Sequence, residues 1–221
     1  MIERILEPEV MDSAAEAAAY DNMDHQAVNA QFVHDLISTG LSLQGSLLDV
    51  GTGTARIPIV LCHEIVDLKI VGVDLSEQML FLAEKNIRSA GLSDKIQLSR
   101  MDAKKLPFQD GLFAVCVSNS IAHHIPVPEL VFKESLRVTR KGGFLFWRDL
   151  VRPQSHEQLR YLVQKHAGQE NNQQQQLFAD SLHAALSIEE VRGLVADLGF
   201  DPASVCLTSD RHWTIDWCRQ P

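Results

Sequence analysis

The residues of this chain best suited to bind a nucleoside are two glycines and two separated acids. Gly51 and Gly53 follow the apolar run 47–50, and a turn built on them lets the backbone approach a ligand closely, because glycine tolerates positive φ and has no side chain. Asp74 ends the next apolar run, where a carboxylate can accept both hydroxyls of a ribose or, taken by itself, cap the following turn. Asp102 ends the run after that, where an acid can accept a hydrogen bond from the amine of a base. Together they predict a nucleoside site.

An alternation of strand-like and helix-like segments from residue 46 onward would bring these positions together. Strands are predicted at 46–50, 69–74, 96–101, 113–118 and, after a Gly142-Gly143 turn, 144–149; helices are predicted at 57–65, 76–90 and 128–138. This order is typical of an α/β fold with a doubly wound, mostly parallel sheet, here of seven strands with N-terminal lid helices. Ligands of such sheets bind at the carboxyl ends of the strands, so the glycines and both acids are expected to line one crevice.

The flanking segments differ from this core. Residues 10–39, with a polar stretch at 20–25, predict two helices that could form a lid. The polar tract 171–176 within the insert 153–186 indicates a mobile loop or a solvated helix end acting as a spacer. Ser187 and Glu190 form a capping box for a last helix, and two strands should follow. We expect one domain, with a lid at 1–44, a cofactor-binding core at 45–150 and the remaining elements at 151–221.

Composition and charge limit the kinds of molecule that the chain is expected to bind. The chain has 221 residues, with 20 Lys and Arg against 29 Asp and Glu, and its net charge of −9 disfavours a nucleic acid as the main partner. Its apolar runs are too short for a membrane span, and the N-terminus lacks an apolar signal core, so a cytoplasmic location is expected. Four widely spaced cysteines indicate reduced, structural thiols.

Residues 45–150 resemble the class I S-adenosylmethionine-dependent methyltransferases, particularly the small-molecule group that includes the ubiquinone/menaquinone-biosynthesis type. The resemblance is carried by Asp49-Val50-Gly51-Thr52-Gly53-Thr54, Val73-Asp74-Leu75-Ser76, Asp102-Ala103 with Leu106-Pro107-Phe108, and Arg140-Lys141-Gly142-Gly143. It implies S-adenosyl-L-methionine as cofactor, with the glycines near its methionine portion, Asp74 on the ribose, and the Asp102 segment at the adenine amine. The cofactor-binding residues that it implies are Tyr20, Asp49, Gly51, Thr52, Gly53, Asp74, Leu75, Met79, Met101, Asp102, Ala103, Ser118 and Asn119.

Two departures from the family pattern affect this interpretation. Ala55 stands where a third glycine is common, which is a mild change, and Ser118-Asn119-Ser120 carries no group-specific signature, which leaves the acceptor open. The chain also lacks an Asn/Asp-Pro-Pro-aromatic run and a Pro-Cys nucleophile after the fourth strand. These absences, with the acidic charge, favour a small-molecule acceptor over a nucleic acid, and a protein acceptor stays open.

Methyl transfer is an in-line displacement, so positioning can supply most of the catalysis, and a base is needed only for some acceptors. The catalytic candidates are His123 and His124, after the fourth strand, and Asp149 at the end of the fifth. The two histidines could equally cap a helix or face solvent. Adjacent side chains usually diverge, so no metal site is expected from them.

Two other functions compete with methyl transfer. A short-chain NAD(P)-dependent oxidoreductase would use a Tyr-x-x-x-Lys pair, which Tyr161 and Lys165 match, but Arg56 occupies the third glycine of the dinucleotide pattern. A non-catalytic protein with the same fold would bind the cofactor or a partner without turnover. The intact glycines and acids favour a working cofactor site.

Overall fold

The chain forms a seven-stranded sheet with the order β3-β2-β1-β4-β5-β7-β6 in a computed structural model that describes residues 1–10, 13–23, 26–43 and 45–220. The strands are β1 Ser46–Val50, β2 Lys69–Asp74, β3 Ile96–Arg100, β4 Phe113–Asn119, β5 Thr139–Leu150, β6 Val205–Leu207 and β7 His212–Cys218. β1 pairs in parallel with β2 and β4, β2 pairs in parallel with β3, and β6 and β7 are antiparallel. The predicted seven-stranded, mostly parallel sheet is confirmed.

Eight α-helices are described. They are α1 Ala14–Asp21, α2 Gln26–Ser38, α3 Arg56–Glu64, α4 Glu77–Ser89, α5 Pro128–Val138, α6 His156–Ala167, α7 Asn172–Ala184 and α8 Ile188–Asp197. Ser76 caps α4 by accepting from the Met79 amide, and Ser187 and Glu190 form the predicted capping box of α8. The helices in the described part of the chain fall short of the length and apolar content that a bilayer crossing requires.

Contacts divide the chain into two compact units. The larger unit comprises Val10–Asn119, Leu130–Phe146 and Trp217–Pro221, and the smaller comprises Met1–Glu9, Ser120–Glu129 and Trp147–Asp216. The core of the larger unit is apolar and joins α2, α3 and the first strands; Phe32 of α2 and Phe146 of β5 meet edge to face there at 5.1 Å between ring centroids. The smaller unit has its own core, formed by Ile2, Leu150, Leu159, Leu162, Leu182 and Ala185.

The N-terminal segment differs in part from the predicted lid. Two helices precede the sheet as expected, but residues 1–10 are not helical, and Ile2 lies in the core of the smaller unit. In the polar stretch at 20–25, Asp24 and His25 lie outside the described residues. The lid function of α1 and α2 stays a prediction.

Strand β5 begins earlier than its apolar pattern indicates. The predicted turn at Gly142-Gly143 is wrong, because both glycines lie inside the strand, Gly142 with φ +69°. A Cβ at Gly143 would lie 2.8 Å from the Ala114 carbonyl oxygen, so only glycine allows this approach of two backbones. The pair is therefore a packing feature of the strand.

The insert is more ordered than a spacer loop. It folds into α6 and α7, and Asn171 caps α7 with Gln174 in a capping box. Of the two alternatives for the tract 171–176, the structure shows the solvated helix end. The order follows from Leu162 and Leu182, one on each helix, which are buried in the smaller core.

Candidate active site

The glycine turn after β1 adopts the conformation that its sequence predicts. Gly51 and Gly53 have φ of +73° and +54°, and the amides of Gly51 and Thr52 both donate to the Val73 carbonyl at 2.9 Å. Apart from Gly53 and its two chain neighbours, the described residues place no atom within 4 Å of where a Cβ on Gly53 would stand, so the backbone faces open space there. Ala55 takes φ +61° while fully buried, a left-handed conformation that costs alanine roughly 1 kcal/mol and glycine little.

Asp74 holds the glycine turn by direct hydrogen bonds. Its Oδ2 accepts from the Gly53 amide at 2.8 Å, and its Oδ1 accepts from the Ser76 amide at 2.9 Å. Burial raises the pKa of this carboxyl, against the effect of these hydrogen bonds. The sequence predicts Asp74 as a ligand-binding acid; its clamp on Gly53 is visible only in the structure.

A pocket in the larger unit opens beside this turn. Its lining residues are Tyr20, Asn29, Asp49, Gly51, Thr52, Gly53, Thr54, Arg56, Ile57 and Asn119. Six of the predicted cofactor residues are therefore brought together, from α1, from the turn and from the end of β4. Asn119 offers a buried side-chain oxygen, Oδ1, that has no hydrogen-bond partner among the described residues. Sequence reasoning missed Asn29, which α2 carries to the pocket without a motif to mark it.

The other predicted cofactor residues lie outside that lining; they are Asp74, Leu75, Met79, Met101, Asp102, Ala103 and Ser118. The Met101 amide donates to the Asp74 carbonyl at 2.9 Å, so the end of β3 lies beside the Asp74 clamp. Asp102 accepts a hydrogen bond from the Lys104 amide at 2.9 Å and pairs with the Lys104 ammonium at 3.0 Å. Burial alone would raise the pKa of the Asp102 carboxyl, but the contacts with Lys104 outweigh it and the pKa is lowered. The buried Ser118 hydroxyl donates to the Val50 carbonyl at 2.7 Å, which ties β4 to β1.

Asp49 is the most perturbed acid of the pocket. It lies almost fully buried in β1, next to the last residue of the strand. This burial, with the nearby Asp74 carboxylate as a smaller contribution, raises its pKa to about 7. A carboxyl with such a pKa changes protonation state near neutral pH. The lining of the pocket therefore includes one acid, Asp49, whose carboxyl titrates near neutral pH.

Helix α1 is fixed to the pocket by an ion pair that the sequence does not reveal. Asp21 accepts two hydrogen bonds from Arg56 at 3.0 Å each, in a bidentate pair, and a third from Asn86 at 3.1 Å. Asn86 also donates to the Thr54 carbonyl at 3.0 Å. These contacts link α1, α3 and α4 and hold neighbouring Tyr20 at the pocket.

The predicted catalytic residues lie together in the smaller unit. His123 and His124 belong to the 3₁₀ helix Ala122–His124, and the Nδ1 atom of buried His123 lies 2.5 Å from Asp149 Oδ1. Glu7, which sequence reasoning missed, places its Oε1 at 3.4 Å from His123 Nε2 and 3.2 Å from His124 Nδ1. The two imidazole rings stack at 4.2 Å between centroids, so the expectation that the adjacent side chains diverge is wrong. The tight 3₁₀ turn and the shared neighbour Glu7 keep them on one side.

Burial and charge act in opposite directions on this cluster. Burial opposes the charged imidazole of His123, but the Asp149 carboxylate outweighs it and raises the pKa of His123. The Asp149 carboxyl, also buried, has a lowered pKa because of the same partner. Burial, and then the neighbouring His123, lower the pKa of His124 to about 3. The Asp149 carboxylate thus favours the charged form of His123, whereas the imidazole of His124 is neutral at neutral pH.

Two arginines, one in β5 and one just after it, have structural partners. Arg148 donates to the Thr214 hydroxyl at 2.9 Å, and Arg152 pairs with Glu190 at 2.7 Å. Both are buried. Asp149, which follows Arg148 in β5, contacts His123.

The residues of the competing oxidoreductase pattern lie on the surface of α6. Tyr161 is 58% exposed, and Lys165 forms an ion pair with Asp210 at 2.7 Å. A catalytic Tyr-x-x-x-Lys pair needs a lysine that faces the cofactor and lowers the pKa of the phenol. Here Lys165 pairs with Asp210 instead, so the Tyr-x-x-x-Lys pattern is part of a surface ion pair.

Comparisons with known proteins show similarity to methyltransferases. Residues 48–147 match the family model of a methyltransferase domain. The chain is 33% identical over 108 residues to the demethylmenaquinone methyltransferase of Bacteroides fragilis, covering 48% of this chain and 44% of that protein. It is 35% identical over 99 residues to the phosphatidylethanolamine N-methyltransferase of Cereibacter sphaeroides, covering 45% and 47%.

The chain thus spans less than half the length of these two relatives. Among solved structures, a SAM-dependent methyltransferase from Aquifex aeolicus has the same fold, with a TM-score of 0.70 at 16% identity, over 93% of this chain and 98% of that one.

Proposed function

We propose that the chain is a class I S-adenosylmethionine-dependent methyltransferase and that it transfers the methyl group of S-adenosylmethionine to a small-molecule acceptor. The observation that carries the proposal is the pocket at the ends of β1 and β4, where Asp74 clamps an open glycine turn. A turn held in this way is prepared for a ligand before the ligand arrives, which lowers the cost of binding.

The residues present fit S-adenosylmethionine. The open space at Gly53 would admit the ligand against the main chain, and the unpaired Asn119 Oδ1 offers an acceptor for a donor group such as an amine. The Asp74 carboxylate accepts main-chain amides from Gly53, Leu75 and Ser76, and of its roughly four lone-pair sites one remains to which a ribose hydroxyl can donate.

The chain's own residues would bind and orient. Bound S-adenosylmethionine would supply an electrophilic methyl group on a sulfonium, for displacement by a nucleophile in line with the sulfur. Gly51 and Gly53 would lie against the methionine portion, Asp74 would hold the ribose, and Asp102 with Ala103 would meet the adenine amine. Tyr20, fixed through the Asp21–Arg56 pair, would cover the pocket and exclude water.

Base catalysis by His123, His124 and Asp149 stays a prediction. The Asp149 carboxylate raises the pKa of His123 against the opposing effect of burial, and the pKa of His124, at about 3, makes it a weak base. This arrangement favours an acceptor whose nucleophile reacts without a strong base, so that positioning supplies most of the rate.

The small-molecule acceptor is supported by two observations. The relatives above are named for methylating demethylmenaquinone and phosphatidylethanolamine, neither of them a nucleic acid. The net charge of −9 also opposes binding to a phosphate backbone. We accordingly propose an organic metabolite as the acceptor and a cytoplasmic site of action.

Two measurements test the proposal. Calorimetric titration of the full chain should show saturable binding of S-adenosylmethionine and none of NADH; the reverse would support the oxidoreductase and overturn methyl transfer. Incubation with methyl-labelled S-adenosylmethionine and a metabolite extract should then label one acceptor. Cofactor binding without labelled product across fractionated extracts would favour the non-catalytic alternative.

A further inference from the structure

We propose that Glu7, His123 and His124 form a binding site for a divalent transition-metal ion of the zinc type. Each of these three side chains offers one atom that can bind a metal ion, and the three atoms lie within 4.8 Å of one another. They come from two segments that are distant in sequence, the N-terminal segment 1–9 and the 3₁₀ helix Ala122–His124. The proposal does not rest on the proposed methyl transfer, because none of its residues is among the lining of the cofactor pocket, although His123 and His124 are also the candidate bases.

The distances suit a tetrahedral ion better than a set of hydrogen bonds. Glu7 Oε1 lies 3.4 Å from His123 Nε2 and 3.2 Å from His124 Nδ1. Bonds of roughly 2.0–2.2 Å at tetrahedral angles separate neighbouring ligand atoms by about 3.4 Å. Glu7 Oε1 and His124 Nδ1 are also both buried without a hydrogen-bond partner among the described residues, which is costly unless something else binds them.

Each ligand is anchored from outside, as metal ligands usually are. His123 Nδ1 lies 2.5 Å from Asp149, and a carboxylate can only accept, so Nδ1 carries the proton and Nε2 presents its lone pair toward Glu7. His124 makes a hydrogen bond with the Pro8 backbone. Proline has no amide hydrogen and Nδ1 has no hydrogen-bond partner, so Nε2 donates to the Pro8 carbonyl and the Nδ1 lone pair faces inward.

Glu7 is oriented in the same way. The Ser181 hydroxyl donates to its Oε2 at 3.4 Å, which turns Oε1 toward the imidazoles. Two neutral imidazole nitrogens and one carboxylate oxygen are ligands that Zn²⁺ takes, whereas Ca²⁺ and Mg²⁺ prefer oxygen alone. Three protein ligands leave a fourth tetrahedral position for water or another small ligand.

The test is metal binding by the full chain in the absence of methyl donor. After treatment with a chelator, Zn²⁺ is titrated in competition with a chromophoric chelator, and Co²⁺ is added separately to read its visible absorbance, which is intense for four-coordinate cobalt. We expect about one ion per chain and a tetrahedral cobalt spectrum. Failure of the wild-type chain to bind Zn²⁺ at micromolar concentration would overturn the proposal, whatever the variants do.

Variants locate the ion. Glu7→Gln and His124→Gln should each weaken Zn²⁺ binding at least about 10-fold, with the cobalt spectrum lost or altered. The matched control is His166→Gln, which removes an imidazole that contacts an acid, Asp210, at 3.1 Å elsewhere in the same unit; it should bind like wild type. Equal binding by all of these proteins, or loss only in the control, would contradict the assignment.

Folding is checked separately. Circular dichroism and thermal melting without metal show whether each variant keeps its structure. Zn²⁺ should also raise the melting temperature of the wild-type chain and of His166→Gln, but not of Glu7→Gln. Calorimetry with S-adenosylmethionine on the same samples reports the cofactor pocket independently, so failure of one proposal is distinguishable from failure of the other.

Discussion

At the scale of single residues, Asp74 connects the integrity of the pocket with the binding of its ligand. The carboxylate clamps the Gly53 amide and is the group we assign to the ribose. Asp74→Ala should therefore weaken S-adenosylmethionine binding by about 10- to 100-fold, because both the clamp and the charged acceptor are lost. Calorimetric titration measures the change.

The matched control for Asp74 is Asp67→Ala, an exposed acid in the turn before β2. It removes the same charge from the same unit and should leave the affinity unchanged. An Asp74→Ala protein that melts normally and binds with wild-type affinity would count against the ribose assignment.

Asp49 should make the stability of the chain depend on pH. Its pKa of about 7 in the folded chain lies above its ordinary value of 3.8, so between these values the folded state holds a proton that the unfolded state has lost. The free energy of unfolding contributed by this group therefore falls as pH rises from about 4 to 7, and the penalty is complete above about pH 7.

Asp49→Asn tests this, because an amide stays neutral. Relative to wild type, the variant should become more stable by roughly 2–3 kcal/mol on going from about pH 5 to about pH 8. Urea denaturation at the two pH values measures the difference. A stability difference that is independent of pH would show that Asp49 does not titrate in this range.

At the scale of elements, Asp21 links α1 to α3 through its ion pair with Arg56. The Asp21–Arg56 pair is bidentate and half exposed, so we expect a coupling energy of about 1 kcal/mol between the two side chains, reduced by salt. A double-mutant cycle with Asp21→Ala and Arg56→Ala measures it through urea unfolding. Additive effects would mean that the pair contributes nothing.

The elements also show where local patterns were sufficient. The Ser76 and Ser187 caps appear where the sequence predicts them, because a cap depends on residues three positions apart. β5 was predicted too short, since the glycines that usually mark a turn are here needed for the approach of Gly143 to Ala114 on another strand. The insert 153–186 was predicted as a polar spacer, because the apolar contact between α6 and α7 lies between residues distant in sequence.

At the scale of the whole molecule, the net charge predicts that the chain does not bind nucleic acids. With a net charge of −9 it should show no saturable binding to a duplex oligonucleotide or a structured RNA at about 0.15 M salt and micromolar protein. Fluorescence anisotropy tests this. Tight binding that weakens steeply with added salt would reveal a local basic patch and reopen a nucleic-acid acceptor.

The sequence by itself determined the sheet, the conformation of the glycine turn and the position of Asp74 at the end of a strand. Periodic burial, permitted φ values and strand ends are local properties, so a short window of residues is enough to predict them. Only the tertiary structure decided that Asp21 holds Arg56 and Asn86, and that Glu7 meets both histidines. Those contacts join segments far apart in the chain. They depend on how whole elements pack, and a single sequence carries no local signal for such packing.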